Sequence, residues 1–118
     1  MKRILILLVS AFLIITTNSC TENNGLVILK KKVTYKVTGT SEHYTIRYYD
    51  EDGNYIETEV RDDWTYEFKG RADRYLYLSA TNEEITGEVE VKIYVRDKIY
   101  LSDDNDDPNG IASVSGYL

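Results

Sequence analysis

The sequence is poor in the residues that carry covalent chemistry, because its 118 residues include one cysteine and one histidine. A single cysteine has no partner for an intramolecular disulfide. His43 has neither a nucleophilic cysteine nor a G-x-S-x-G elbow to act with, so the chain offers no catalytic triad. The paired carboxylates, such as Asp62–Asp63, fall in predicted turns, which seldom provide the apolar setting that raises the pKa of a general acid. We therefore expect a protein that is not an enzyme and that holds no cofactor.

The chain also lacks an apolar run of the roughly 20 residues that a membrane-spanning helix needs. The longest such run, Ile4–Ile15, has 12 residues, is apolar apart from Ser10 and follows the basic pair Lys2–Arg3. A basic start, a short apolar stretch and the small or polar residues Thr16–Ser19 are together typical of a secretory signal peptide. The sequence therefore predicts a signal peptide over residues 1–19.

A lipid anchor is predicted directly after this segment. Cys20 follows Ser19 in a setting that resembles the lipobox of bacterial lipoproteins, although Thr17 replaces the usual aliphatic residue. A free cysteine near an ordinary cleavage site is the alternative. With a lipid on Cys20, residues 20–32 would form a tether into the first strand, and the protein would be anchored in the cell envelope. Thr21 is not the aspartate that retains lipoproteins in the inner membrane of enteric bacteria, which favours the outer membrane if the source has two membranes.

Positive charge is scarce in the remainder of the chain. Without residues 1–19 it has 99 residues, of which 20 are acidic and 12 basic, for a formal charge of −8. Such a domain repels phosphate backbones, so we expect neither nucleic-acid binding nor electrostatic attraction of the domain to anionic lipid headgroups. The cluster Lys30–Lys32 could touch headgroups near the anchor, but a solvated edge that discourages strand aggregation is the favoured interpretation.

Period-two alternation of apolar and polar residues is abundant. It is cleanest in Glu88–Val95 and recurs in Val33–Thr38, His43–Tyr49 and Tyr55–Arg61, with an Asp-Gly turn between the last two. Apolar residues at helical spacing are missing, and short strands recur about every ten residues. The pattern predicts an all-β domain over residues 33–118, an Ig-like antiparallel sandwich of about 7–8 strands. An acidic loop is predicted over Ser102–Asn109.

A family resemblance rests on the order of several strings. YKVTG (Tyr35–Gly39), TIRYYDEDGN (Thr45–Asn54), Trp64, LYLSATN (Leu76–Asn82) and GEVEVKIYVRDK (Gly87–Lys98) follow one another along the chain. Their order and spacing resemble the soluble domain of the mycobacterial membrane protein small (MmpS) family, whose relatives include short bacterial lipoproteins. The resemblance implies an Ig-like sandwich. In mycobacteria it implies an accessory role beside large resistance-nodulation-division exporters.

Two features depart from that family. Its mycobacterial members are anchored by an N-terminal transmembrane helix, whereas this chain has a predicted cleavable signal and Cys20. They also often carry a cysteine pair in the penultimate and last strands, near the positions of Val91 and Val114 here. The resemblance then implies that apolar packing replaces a disulfide at these two positions.

Tyrosine supplies the candidate binding residues, since the chain has 11 of them. Alternation places Tyr49, Tyr75, Tyr77 and Tyr94 on outward faces, whereas Trp64, Tyr66 and Phe68 belong to the predicted core. An outward set of tyrosines could stack on sugar rings or receive a partner protein. Cross-strand pairing that merely stabilises an exposed sheet face is the favoured alternative.

One weak calcium candidate lies in the predicted acidic loop. Asp103, Asn105 and Asp107 alternate as in the first half of an EF-hand loop. The position of the bidentate glutamate is occupied by Val114, however, and Gly110 is misplaced for the tight turn. Ordinary turn chemistry explains the same composition.

The sequence as a whole predicts a lipid-anchored accessory protein of the cell envelope that docks on an envelope transporter or another membrane complex. A glycan- or surface-ligand-binding module that uses the exposed tyrosines is one alternative. A structural lipoprotein without a dedicated ligand is another, and the oligomeric state stays open.

Overall fold

The computed structural model describes residues 29–118, which form eight strands and no helix. The strands are β1 (Lys30–Gly39), β2 (Tyr44–Tyr49), β3 (Tyr55–Val60), β4 (Trp64–Arg71), β5 (Tyr75–Asn82), β6 (Val89–Val95), β7 (Lys98–Asn105) and β8 (Ile111–Tyr117). The predicted signal peptide, Cys20 and most of the predicted tether lie outside the described residues. Within residues 29–118 no helix is long and apolar enough to cross a membrane.

The strands form two four-stranded antiparallel sheets that pack face to face, so the predicted all-β sandwich is confirmed. Sheet 1 has the order β4-β1-β6-β7, and sheet 2 has the order β3-β2-β5-β8. Only the β2–β3 and β6–β7 turns join neighbours within a sheet, and the other connections cross between sheets. We call the end that holds the start of β1 and Leu118 the entry end, and the opposite end the far end.

The core lies between the two sheets, because every second side chain along a strand points into this space and most of these side chains are apolar. The buried apolar residues are Val33, Tyr35, Val37, Tyr44, Ile46, Tyr48, Phe68, Leu76, Leu78, Ala80, Val89, Val91, Ile93 and Ala112. Trp64 and Tyr66 are partly buried against them, as is Val114. Around Tyr35 the rings of Tyr48, Tyr66 and Phe68 have their centroids 5.4–6.1 Å away. The core is therefore aromatic toward the β4 edge.

Two strand boundaries differ from the sequence-based prediction by three or more residues. Strand β1 begins at Lys30 instead of Val33, because Lys30–Lys32 pair with the last residues of β4. Strand β7 continues to Asn105, so Ser102–Asn105 are strand and not loop. The acidic composition of Ser102–Asn105 hid the strand, since an edge strand with few apolar residues shows little alternation.

Buried polar groups hold the far end together. The hydroxyl of Tyr44 accepts a hydrogen bond from the backbone N–H of Ser41 (2.9 Å), and the Ser41 hydroxyl donates to the carbonyl of Thr86 (2.9 Å). The fully buried Asn82 donates to the same carbonyl and accepts from the N–H of Glu84, both at 2.9 Å. These bonds tie the β1–β2 connection to the β5–β6 connection across the two sheets.

Candidate binding face

Five tyrosine rings lie together on the outer surface of sheet 2, at its entry end. Tyr49 is paired with Tyr55 across the β2–β3 hairpin, and Tyr75 is paired with Tyr117 across β5 and β8. Tyr77 lies beside Tyr49, and a ring contact between Tyr49 and Tyr75 joins the two pairs. We call Tyr49, Tyr55, Tyr75, Tyr77 and Tyr117 the tyrosine face.

The rings of the tyrosine face touch one another in tilted arrangements. Ring centroids are 5.7–5.9 Å apart between Tyr49 and its three neighbours, and 5.2 Å apart between Tyr75 and Tyr117. Interplanar angles of 54–67° show that the rings are tilted against one another and do not form a flat stacking platform. Tyr49 and Tyr77 are half-buried at the centre, whereas Tyr55 and Tyr117 are 53% and 66% exposed. Half-buried aromatic residues at the centre with more exposed residues around them are also found in protein–protein interfaces.

The structure brings together three of the four predicted tyrosines. Tyr94 lies elsewhere, on the outer surface of sheet 1, opposite Thr34 and beside a shallow depression that Lys36 and Asp97 also line. Sequence reasoning missed Tyr55 and Tyr117. Alternation with Ile56 already indicated that Tyr55 faces outward, but the position of Tyr117 depends on β8 lying beside β5.

A recess of about 300 Å³ opens at the edge of the tyrosine face, lined by Tyr49, Gly53, Arg74 and Tyr75. The β2–β3 turn that supplies Gly53 is well ordered by its own hydrogen bonds. The Asp50 carboxylate accepts from the N–H groups of Asn54 (2.8 Å) and Asp52 (2.9 Å). These bonds, that of Asn54 first, lower the pKa of Asp50. The recess is therefore bordered by a hydrogen-bonded turn and by one cationic side chain, that of Arg74.

The far half of the same sheet surface is polar. Arg47 donates to Glu57 (3.2 Å) and to the hydroxyl of Thr81 (3.1 Å). His43 lies 3.2 Å from Glu59. Arg47 and His43 thus have polar partners in the same sheet, whereas the tyrosine face lies at the entry end.

Two of the three predicted calcium residues, Asp103 and Asn105, have side chains that bind backbone groups. Asp103 accepts from the N–H of Ser113 (3.0 Å), and Asn105 accepts from the N–H of Asp107 (2.8 Å). The Asn105 side chain also donates to the carbonyl of Ile111 (3.1 Å). Among residues 29–118 no three or more acidic, histidine or cysteine side chains are grouped so that they could hold a metal ion.

These contacts cover the outer edge of β8. An edge strand presents every second N–H and C=O to its surroundings, and such groups can template aggregation. Asp103 and Asn105, both from β7, bind the edge groups of Ser113 and Ile111, and the Tyr100 hydroxyl donates to the carbonyl of Tyr117 (2.5 Å). Side chains of sheet 1 thus close the β8 edge of sheet 2.

Replacing Asn105 by alanine is expected to lower the free energy of unfolding by about 1–3 kcal/mol, since two hydrogen bonds are lost together. The exposed carbonyl of Ile111 should also increase self-association. Urea unfolding and analytical ultracentrifugation measure the two effects. Asp104→Ala is the matched control, because Asp104 is exposed and pairs with Glu90 on the outer surface. Equal behaviour of the two variants would contradict the edge-covering role.

Comparison with known proteins adds no family assignment. No protein-family model matches the chain, and no curated protein matches it. The geometry of the tyrosine face and the sequence patterns therefore carry the functional argument.

Proposed function

We propose that the protein is a lipid-anchored binding protein of the bacterial cell envelope, and that the tyrosine face contacts a subunit of a membrane complex. The observation that carries the proposal is a contiguous cluster of five tyrosine rings on a sheet surface that no element of residues 29–118 covers. Tyrosine is enriched in protein interfaces and in their energetic hot spots, because it adds apolar area with few rotatable bonds.

The position of the face supports a partner at the membrane. All five tyrosines lie in the entry-end halves of their strands, and β1 starts at that same end. Only nine residues separate Cys20 from Lys30, so the two lie ten residue steps apart and at most about 35 Å when the chain is extended. A lipid on Cys20 would hold the tyrosine face close to the bilayer, beside the surfaces that integral membrane complexes present there.

The resemblance to the MmpS family supports the choice of partner. Its mycobacterial members act beside exporters, which makes an envelope transporter the first candidate for the complex. A lipidated Cys20 would then do the work of the transmembrane helix in those members.

The proposal is tested by placing a photo-crosslinking amino acid at Tyr55 in intact cells that make the lipidated protein. Ile111 is the matched control, because it lies on the outer surface of the same sheet, at the far end, and is equally exposed at 53%. Position 55 is expected to capture a defined subunit of a membrane complex, and position 111 is not.

Two variants make the result specific. Tyr75→Ser should lower capture from position 55 by about tenfold or more, the loss typical of a hot-spot residue. Cys20→Ser with an exchanged signal should lower it as well, because the protein is no longer held at the membrane. The same product from positions 55 and 111, or capture that Tyr75→Ser leaves unchanged, would refute the proposed surface.

A glycan ligand is the second candidate, favoured by the recess at Tyr49 and Tyr75. Its volume of about 300 Å³ suits a single small ligand, and Arg74 offers a hydrogen-bond donor beside the rings. Blank crosslinking together with saturable sugar binding that Arg74→Ala weakens would favour this function over a protein partner.

A further inference from the structure

The fold sorts the charges of this acidic protein by position. Eight of the 12 basic residues between Lys30 and Lys98 lie at the entry end: Lys30, Lys31, Lys32, Lys69, Arg71, Arg74, Arg96 and Lys98. The far-end connections hold one basic residue, Arg61, and eight carboxylates: Glu42, Asp62, Asp63, Glu83, Glu84, Glu88, Asp106 and Asp107. The net charge thus conceals a molecule with a strongly acidic far end.

The basic charge is concentrated on the outer surface of sheet 1. Lys30 pairs with Arg71, and Lys32 pairs with Lys69, across β1 and β4. We call these four residues the basic patch. Like charges directly opposite each other destabilise a sheet, so the arrangement is unfavourable for the isolated domain. It becomes favourable when an anionic surface lies against it.

Little negative charge neutralises the basic patch. Lys32 lies 2.9 Å from the carboxylate of Asp97 and 3.9 Å from that of Glu67. The other three members make no ion pair within the described part of the chain. The remaining carboxylates of the entry end lie mainly in the β2–β3 turn of the other sheet, at residues 50–52.

We infer that the basic patch contacts the anionic headgroups of the membrane that anchors the protein, with the acidic far end directed away from the bilayer. The orientation rests on the proposed anchor at Cys20, whereas the affinity of the patch for anionic lipid does not. The tether joins the domain at Lys30, so the anchor and the patch meet the same surface.

The net charge of the domain predicts that anionic headgroups repel it. The distance between the basic patch and the acidic far end explains why the patch is still attracted to them. The far end lies about 30 Å from the patch, since β1 alone has ten residues at roughly 3.3 Å each. Salt screens charges over about 8–10 Å, so the far-end carboxylates contribute little at the headgroups. Each lysine or arginine near an anionic bilayer raises binding by about fivefold. The local charge of the basic patch, and not the net charge of the domain, therefore determines binding to anionic headgroups.

Vesicle co-sedimentation of the secreted Cys20→Ser protein, with an exchanged cleavable signal, tests the patch without the anchor. The vesicles are phosphatidylcholine alone or phosphatidylcholine with 30% phosphatidylglycerol. The variants are Lys69→Gln/Arg71→Gln in the patch and Arg61→Glu at the far end, which change the net charge by the same amount. We expect binding only to the anionic vesicles, about tenfold or more weaker for the patch variant, and within twofold of the parent for Arg61→Glu.

Several results would overturn the inference. Equal losses in the two variants would show that net charge governs binding, and equal binding to both vesicles would exclude recognition of anionic lipid. Displacement by inorganic phosphate, where chloride of equal ionic strength does not displace, would assign the patch to free phosphate. Mass spectrometry of the unmutated protein shows, independently of the vesicle experiment, whether Cys20 carries a lipid. An unmodified Cys20 would refute the proposed anchor and the orientation, while the vesicle result for the patch would stand.

Discussion

Replacing Gly39 by alanine is expected to lower the free energy of unfolding by about 3–5 kcal/mol, a large part of the stability of a domain this small. A Cβ at this position would overlap both the carbonyl oxygen of Glu88 and the hydroxyl of Tyr44. Neither group can move without loss. The carbonyl accepts from the N–H of Thr40 (3.1 Å), and the hydroxyl accepts from the N–H of Ser41 (2.9 Å) at a buried site.

Gly116→Ala is the matched control for this prediction. A Cβ there would lie 3.2 Å from the Cδ1 atom of Leu101, the tip of a flexible side chain at the sandwich edge. We expect a cost below about 1 kcal/mol, because the leucine tip can turn away. Urea unfolding followed by tryptophan fluorescence reports both variants through Trp64. Similar midpoints for the two alanine variants would mean that the β1–β2 corner is looser than its contacts indicate.

Local pattern was enough to predict which way most side chains face. In a strand, successive side chains point to opposite faces, so Val89, Val91 and Ile93 were assigned to one face and are all buried. The same rule placed Tyr49 and Tyr75 outside. It failed for β7, because an edge strand that faces water on one side and a neighbouring edge on the other need not alternate in polarity.

The pairing of strands that are distant along the chain could not be predicted from the sequence pattern. Tyr49 and Tyr55 flank an Asp-Gly turn, so their pairing follows from the hairpin. The pairing of Tyr75 with Tyr117 requires β8 to add to β5, and that depends on which sheet each late strand joins. The same information separates Tyr94, in sheet 1, from the tyrosine face. An aromatic count therefore predicted a binding surface but not its membership.

The distribution of charge over the surface likewise depends on strand pairing and could not be predicted from the sequence. The formal charge of −8 over residues 20–118 led to the expectation that the domain is not attracted to anionic headgroups. Only the register of β1 with β4 brings Lys30 opposite Arg71 and Lys32 opposite Lys69. Since screening makes electrostatics local at this scale, the topology decides what a membrane or a partner meets. The tyrosine face and the basic patch occupy opposite surfaces of the same end, so one could meet a partner while the other meets lipid.

Tyr35→Phe is expected to stabilise the protein by about 1 kcal/mol at pH 7, against the usual direction of core substitutions. The Tyr35 side chain is fully buried, and its hydroxyl has no hydrogen-bond partner of ordinary geometry within residues 29–118, although the main chain of Tyr77 approaches it. Phenylalanine removes this unsatisfied group and keeps the edge-to-face contacts with Tyr48 and Phe68. Tyr117→Phe, at an exposed ring, is the control and should change the stability by less than about 0.5 kcal/mol.

The same substitution should change how stability depends on alkaline pH. Burial raises the pKa of Tyr35 far above its ordinary value of 10.0, and burial also raises the pKa values of Tyr44 and Tyr48. In the unfolded chain these phenols ionise near pH 10, so the folded state binds the protons more tightly. Their contribution is complete below pH 10 and is lost as the pH rises further. The unfolding midpoint of the parent protein should therefore fall above pH 10, and that of Tyr35→Phe should fall less steeply.

Urea titrations between pH 7 and pH 11.5 measure both slopes. A variant that is less stable at pH 7 would show that the Tyr35 hydroxyl makes a hydrogen bond, and parallel alkaline slopes would show that it ionises as easily in the folded protein as in the unfolded chain.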